Sequence, residues 1–196
     1  MNAHRYFLVN KPYNMVSQFV SSHDVRLLGD LDFNFPEGTH AIGRLDQNSE
    51  GLLLLTTNKK ITKLLFQGPV PHKRTYLVQV KNKMSEETAQ RLAAGIEISA
   101  KTGNTFKTTP CEVKIVNKPM GLTEIGKPLH ENVVTTWLTI TLTEGKFHQV
   151  RKMVASVNHK CLRLIRISIE NIELGKMHSG EVIEVKESFF FNKLCL

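Results

Sequence analysis

Aspartate and cysteine are scarce in this chain, and over two long windows acidic residues are absent. Of 196 residues only Asp24, Asp30, Asp32 and Asp46 are aspartate. The first three fall in a polar stretch that reads as loop, and only Asp46 has a structured setting. The three cysteines, Cys111, Cys161 and Cys195, are far apart and odd in number. That excludes a disulfide framework and a thiolate metal site, and points to a reducing compartment, the cytoplasm. No apolar run approaches the ~18 residues of a membrane span. The opening Met1-Asn2-Ala3-His4-Arg5-Tyr6 has no apolar core or cleavage site of a secretory signal. Also missing are a Walker loop, a dinucleotide glycine pattern, a G-x-S-x-G setting for Ser49 and metal-ligand spacing among the histidines. The reading therefore expects no metal and no cofactor.

What the chain does have is positive charge, a net +8, and that charge is unevenly placed. Between Glu50 and Glu86 there is no acid, but there are Lys59, Lys60, Lys63, Lys73, Arg74, Lys81 and Lys83. Between Glu144 and Glu170 there is again none, against Lys146, Arg151, Lys152, Lys160, Arg163 and Arg166. These windows hold half of the basic residues and leave a mildly acidic remainder, the footprint of a protein that meets a polyanion.

The element pattern is that of an α+β fold with a largely antiparallel mixed sheet. Strands are expected over 6–9, 15–20, 51–56, 74–80, 96–98, 111–116, 133–142, 161–169 and 182–185. The run 51–56 suits a strand buried on both faces. Helices are expected over about 58–66, capped by Asn58, ended by Gly68-Pro69 and burying Ile61, Leu64 and Leu65, and over 85–94, capped by Ser85. A third is expected to bury Val150, Met153, Val154 and Val157, with Gln149, Arg151 and Lys152 pointing away. Residues 21–40 and 117–132 read as loops. Trp137 reads as core and Glu50 as structural.

Three segments carry chemistry. Gly43-Arg44-Leu45-Asp46-x-x-Ser49-Glu50-Gly51 runs into Leu52-Leu53-Leu54-Leu55-Thr56. Glu144-Gly145-Lys146-Phe147-His148-Gln149-Val150-Arg151-Lys152-Met153 follows, and then Leu162-x-Leu164-x-Arg166-x-x-Ile169 with Leu174-Gly175 and Gly180-Glu181. A carboxylate this close to an apolar strand is solvated, paired, or kept for chemistry, because burying it alone is costly. In this order and spacing the segments resemble the RsuA/RluB/RluE/RluF family of RNA pseudouridine synthases, closest to the RluE type, over residues 6–185.

The resemblance implies the pseudouridine synthase catalytic fold, with helices flanking a central active-site cleft. Residues 1–196 would be one catalytic domain of two subdomains meeting at the cleft. No small RNA-binding module precedes residue 6, as in the RluE type, which acts on large-subunit ribosomal RNA. The implied reaction converts uridine to pseudouridine in ribosomal RNA, most specifically 23S rRNA, by a monomer that has no business with a membrane. The catalytic set carried over by motif is Asp46, Tyr76 and Arg151: the aspartate, the tyrosine that stacks on the target base and the cation that pairs with the aspartate. Arg44 matches an arginine that fills the gap left by a flipped nucleotide. Lys59, Lys60, Lys73, Arg74, His148, Lys152, Arg163 and Arg166 are the expected RNA contacts. Arg74 stands where the family usually has lysine, and the turn at 57–60 lacks the family's glycine. Two other readings exist on the same residues. One is a non-catalytic rRNA-binding or ribosome-assembly module, against which the intact Asp46, Tyr76 and Arg151 set argues. The other is a glycosidase-like hydrolase, which needs a second carboxylate that this chain does not offer.

Overall fold

The most apolar run of the chain, Glu50–Thr56, becomes a strand in which every residue is buried. The computed structural model describes residues 4–68, 70–100, 103–123, 125, 130 and 132–196, without the side chains of residues 66 and 67. Along the described residues the strands and helices are β1 (Tyr6–Lys11), β2 (His40–Ile42), β3 (Glu50–Thr56), α1 (Ile61–Gln67), β4 (Arg74–Lys81), α2 (Glu86–Ala93), β5 (Glu97–Ser99), β6 (Thr105–Lys107), β7 (Glu112–Val116), β8 (Thr135–Leu142), α3 (Gln149–Ser156), β9 (Cys161–Ile169), β10 (Ile172–Glu173), β11 (Val182–Val185) and α4 (Glu187–Leu194). The class is α+β, as expected. Among the described residues no helix is long and apolar enough to cross a membrane. The chain divides into two compact units, the first made of Met1–Arg74 with Ile165–Leu196 and the second of Thr75–Leu164.

In the first unit the strand order is β11-β1-β3-β9, with β2 on β3 and β10 on β9. β1 lies antiparallel to both β11 and β3. The β3–β9 pair is parallel, with Glu50 opposite Ile165 and Gly51 opposite Arg166. Strand alternation splits the side chains of β1 and β3 between two faces. On one, Tyr6, Leu8, Leu52 and Leu54 pack with Ile61 and Leu65 of α1 and Phe190 and Leu194 of α4. On the other, Phe7 meets Phe33 and Phe35 edge-on, at 5.5 and 5.7 Å between ring centroids. Residues 21–40 are mostly irregular, as expected, apart from a 3-10 turn at Leu28–Asp30, the bridge at Arg26 and His40, which opens β2; Phe33 and Phe35 roof the second face of β1.

In the second unit the order is β9-β4-β8-β7, and β5–β6 form a separate antiparallel pair. Val78 and Val80 of β4, Leu138, Ile140 and Leu142 of β8, Ala89 and Leu92 of α2, and Val150, Met153 and Val154 of α3 with Val157 just past its end form one core. Ser85 caps α2 by accepting a hydrogen bond from the Thr88 amide, as expected. Trp137 is buried.

Several expectations change. Residues 15–20 are not a strand; one bridge, Met15 to Arg26, stands there. Asn14 turns left-handed just before, and the Met15 carbonyl is taken by the Lys11 ammonium, so side chains replace the ladder. α1 begins at Ile61 and leaves Leu64 about half exposed, while Asn58 accepts from the Lys60 amide ahead of it. Pro69 lies outside the described residues, as do 124, 126–129 and 131 of the expected 117–132 loop. Gln149 is buried and does not point away. The short β2, β6 and β10, and α4 with its run of phenylalanines, lie beyond the expected pattern.

Gly51 sets the closeness of β3 to β9. Its φ is +100°, and a Cβ there would stand 2.3 Å from the Arg166 carbonyl oxygen and 2.8 Å from its amide nitrogen. Both neighbours are backbone within a sheet, so neither can yield cheaply. Gly51→Ala is expected to cost about 3 kcal/mol or more, seen as a fall of roughly 6–12 °C in thermal melting. A melting temperature unchanged to within a degree or two would show that the two strands have room for a side chain.

Candidate functional site

Asp46 sits in the turn between β2 and β3, half-buried. The turn closes on itself, with the Ser49 amide donating to the Asp46 carbonyl at 3.0 Å. Its neighbours are pinned on both sides. The buried Ser17 hydroxyl accepts from the Leu45 amide and donates to the Leu45 carbonyl, each at 3.0 Å. Gln47 donates from its side chain to Asn14 Oδ1 at 3.0 Å.

Beneath this turn lies Lys11, whose side chain is fully buried. Its ammonium donates to the carbonyls of Pro12 at 2.8 Å, Met15 at 2.6 Å and Gln47 at 3.4 Å. The last carbonyl follows Asp46 directly in sequence, so the lysine fixes the backbone that carries the carboxylate. Burial pulls the Lys11 pKa down to about 8, helped by the charges of Arg166 and Arg26 and opposed by those of Glu50 and Asp46. Glu50 is buried, in keeping with a structural acid.

In the second unit Tyr76, on β4, is half-buried and packs against the core. Arg151 is half-buried on α3. The turn before α3 is held from within. Buried Gln149 accepts from the Lys146 amide at 2.9 Å and donates to Glu144 Oε1 at 2.7 Å. The same Glu144 oxygen accepts from the Thr109 amide at 3.0 Å. His148 begins the helix with φ at +53°, uncommon for a residue with a side chain, and its ring stacks on Phe147.

The expected RNA contacts separate by burial. Arg44, Lys59, Lys60 and Lys73 are exposed, and His148 and Lys152 are half-buried. Arg74, Arg163 and Arg166 are buried, which corrects their reading as surface contacts. Arg74 donates to the His72 carbonyl, Arg163 to the Thr123 carbonyl at 2.8 Å and Arg166 to the Leu52 carbonyl at 2.7 Å. A guanidinium buried against main-chain oxygen holds structure together and puts none of its charge at the surface. Arg163 thereby ties the 117–132 loop to β9. Lys11, Ser17, Gln149 and Phe147 are functional candidates that sequence reading passed over. Among the described residues no group of three or more His, Cys, Asp or Glu is placed to hold a metal ion.

Comparison with known proteins agrees with the motifs. The family described as RNA pseudouridylate synthase matches residues 5–156. A Vibrio parahaemolyticus protein named ribosomal large subunit pseudouridine synthase E is 35% identical over 182 residues, covering 91% of this chain and 73% of that protein. A protein of the same name from Xanthomonas axonopodis pv. citri is 33% identical over 172 residues, covering 87% and 88%. A crystal structure of a pseudouridylate synthase superposes with a TM-score of 0.79 at 25% identity, over 99% of this chain and 75% of that one.

The buried lysine gives the folded state a pH signature. Below about pH 8 both folded and unfolded chains carry the Lys11 proton, and the cost of burying the charge is in full force. From there to the ordinary lysine value of 10.5 the folded chain sheds the proton while the unfolded chain keeps it. Stability from this group therefore rises with pH across that window, by about 3 kcal/mol, and is lost as pH falls back through 8. Denaturant titrations of the wild type and Lys11→Met between pH 7 and roughly 10.5 are expected to show this rise in the wild type only, since the variant lacks the buried lysine at position 11. Parallel slopes in both proteins would show that Lys11 keeps an ordinary pKa.

Proposed function

This chain belongs to the RNA pseudouridylate synthase family, and on that premise we propose that it converts a specific uridine of large-subunit ribosomal RNA to pseudouridine. The observation that carries the reading is the Asp46 turn. It places one carboxylate, half-buried, on a backbone held by Ser17 and Lys11, beside a Gln47 side chain held by Asn14, at the head of the most buried strand. Positioning of this kind suits a group that must meet one atom of a substrate.

The reaction breaks the bond between C1′ and N1 of the uridine, turns the base and joins C1′ to C5. The proton lost from C5 is balanced by the one gained at N1, so no oxidant or co-substrate enters. Positive character develops at C1′ as the first bond breaks. An ionised Asp46 can answer it as nucleophile at C1′ or as base at C2′, and both routes require the carboxylate. We assign Arg151 the role of keeping that carboxylate ionised and Tyr76 that of stacking on the target base, each on the match of its motif. The target base must leave its stack to be reached, and Arg44, exposed and close to Gln18 at 3.5 Å, is the side chain we assign to the gap. Exposed Lys59, Lys60 and Lys73, with His148 and Lys152, are the proposed contacts to the phosphate backbone. We read residues 1–196 as one catalytic domain that works as a monomer in the cytoplasm, where its substrate is made.

Two experiments test this. Asp46→Asn keeps the shape and removes the charge, so isomerisation is expected to vanish while affinity for the RNA stays within a few-fold. Pseudouridine mapping of ribosomal RNA from cells with the wild-type gene, the variant or no gene reads the outcome and names the site. Near-normal modification by the variant would remove Asp46 from the chemistry.

Salt dependence separates the cations. Each phosphate neutralised by a lysine releases counterions, so replacing Lys59 and Lys60 by alanine is expected to flatten the salt slope of binding by roughly one unit per lost contact. Arg151→Ala is expected to abolish turnover and leave that slope in place. Equal slope losses in both variants would put Arg151 on the RNA backbone and leave Asp46 without its assigned cation.

A further inference from the structure

The two acid-free stretches of the sequence meet at one end of the second unit. The amide of Lys81, the last residue of β4, donates to the Lys160 carbonyl, just ahead of β9, at 2.9 Å. Lys81, Lys83 and Lys160 are all exposed. Among the described residues none of the three forms an ion pair. The nearest acids in sequence, Glu86 and Glu87, lie in the first turn of α2, where the helix N-terminus attracts their charge. Lys83 also lines a cleft of about 860 Å³ that reaches the ends of β4 and β7 and the start of β8. Gln79, Asn117, His130 and Trp137 line it as well, and among the described residues its lining has no carboxylate. Gln79 is oriented by a 3.3 Å hydrogen bond from its side-chain amide to the Thr135 hydroxyl. Trp137 is only 6% exposed, yet its indole N–H has no hydrogen-bond partner among the described residues. A donor left unmet beside a polar cleft is there for an acceptor that enters it.

Exposed ammonium groups beside a cleft of neutral donors match one ligand chemistry: phosphates joined to a base. We propose that this end of the second unit is a further contact site for the RNA, where Lys81, Lys83 and Lys160 hold backbone phosphates and one unpaired base enters the cleft beside Trp137. The site rests on the RNA-modifying reading above and deepens it. A base offers carbonyl oxygens and ring nitrogens to the indole N–H and to the Gln79 and Asn117 amides. An acidic peptide would meet the lysines and leave the cleft empty. Only an unpaired base can present its edge in this way, so the site favours a single-stranded segment. The base held here is not the target uridine. Tyr76 packs toward the core of α2 and α3, and Gln79, three residues further along β4, lies on the other face of the strand. The lysines supply affinity and the cleft supplies the preference for a base.

Trp137 is the chain's one tryptophan, so its fluorescence reports on this cleft alone. The whole chain is titrated with a single-stranded oligouridylate, with the same strand made abasic, with uridine monophosphate and with polyglutamate. The oligouridylate is expected to change the Trp137 emission and to protect the indole from acrylamide, and the other three to do neither. Replacing Lys81, Lys83 and Lys160 together by alanine is expected to weaken oligouridylate binding roughly tenfold and to flatten its salt slope by about two units, ~0.7 per contact on a single strand. In turnover of ribosomal RNA that loss is expected to fall mainly on KM. All three lysines are exposed, so the triple variant is expected to melt as the wild type does. Asp46→Asn is expected to keep the protection of Trp137 in full. Binding of the oligouridylate with no change at Trp137, or with wild-type slope in the triple variant, overturns the site. Equal protection by the abasic strand or by polyglutamate overturns the entry of a base. Equal protection by uridine monophosphate assigns the cleft to a free nucleotide and overturns the RNA contact. A protein that protects Trp137 with the oligouridylate as expected but forms no pseudouridine overturns the catalytic reading and leaves this site standing.

Discussion

The first unit depends on how closely β3 and β9 approach at Gly51. With φ at +100° and no Cβ, Gly51 lets its strand lie against the Arg166 backbone, which any side chain would push away. The pair is parallel, so it cannot be formed by a tight hairpin and joins residues more than a hundred positions apart. The consequences run both ways along β3. Toward its C-terminal end the four leucines are placed between α1 and α4 on one side and the Phe7, Phe33 and Phe35 cluster on the other. Toward its N-terminal end the chain leaves the sheet at Glu50 and turns back through Ser49 to Asp46. The carboxylate is held a few residues from this close strand contact. Arg166 adds to the same contact by donating to the Leu52 carbonyl from a buried guanidinium.

A carboxylate at the head of an apolar strand needs a polar bed, and Lys11 supplies it. Two buried cations, Lys11 and Arg166, lie in the same electrostatic neighbourhood as Glu50, Asp46 and Arg26. Lys11 meets three carbonyl oxygens in place of water, which is how a buried ammonium can be tolerated at all. Burial still wins over the attraction of the acids, and the lysine sits near the edge of losing its proton. This arrangement ties the backbone of residues 11–17 to that of residues 45–47, so the strand-like look of 15–20 gives way to a loop wrapped around the ammonium.

Much of this was legible in the residues, and the failures have a common cause. Long periodic segments announced themselves: β3, β4, β9 and α3 fall where alternation or the helical stripe put them, and the Asp46 segment stood out because an acid beside four leucines needs a reason. Charge was read less well. Arg74, Arg163 and Arg166 counted as surface cations because a sequence does not show which strands are covered on both faces. β9 is flanked by β3 and β4, and its arginines face inward to main-chain carbonyls. Lys11 was passed over for the same reason, a lysine at a strand end being solvated far more often than buried. Gln149 falls off the apolar stripe of α3, and its bonds to the Lys146 amide, Glu144 and Met153 Sδ account for its burial. Short β2, β6 and β10 have too few residues for any period, and three consecutive phenylalanines in α4 show neither helical nor strand spacing.

The two units solve one mechanical problem in the same way. Each carries its motif residues on or beside a turn, and a turn by itself is the least rigid part of a fold. In the first unit Ser17 and Lys11 bind the main chain on either side of Asp46. In the second, buried Gln149 binds the Lys146 amide just ahead of Phe147 and His148 and is itself held by Glu144, one helical turn ahead of Arg151. In both cases a buried polar side chain bonds to a backbone amide or carbonyl of the turn and leaves the exposed or half-buried side chains to face outward. Swapping the outward residue changes what the turn does, while swapping the buried one changes where it is held. The buried set therefore acts on geometry alone, and its loss is felt by every outward residue on the same turn, whereas an outward residue can vary without disturbing its neighbours. That division accounts for an arrangement in which Asp46 and Phe147, so different in chemistry, rest on supports of the same kind.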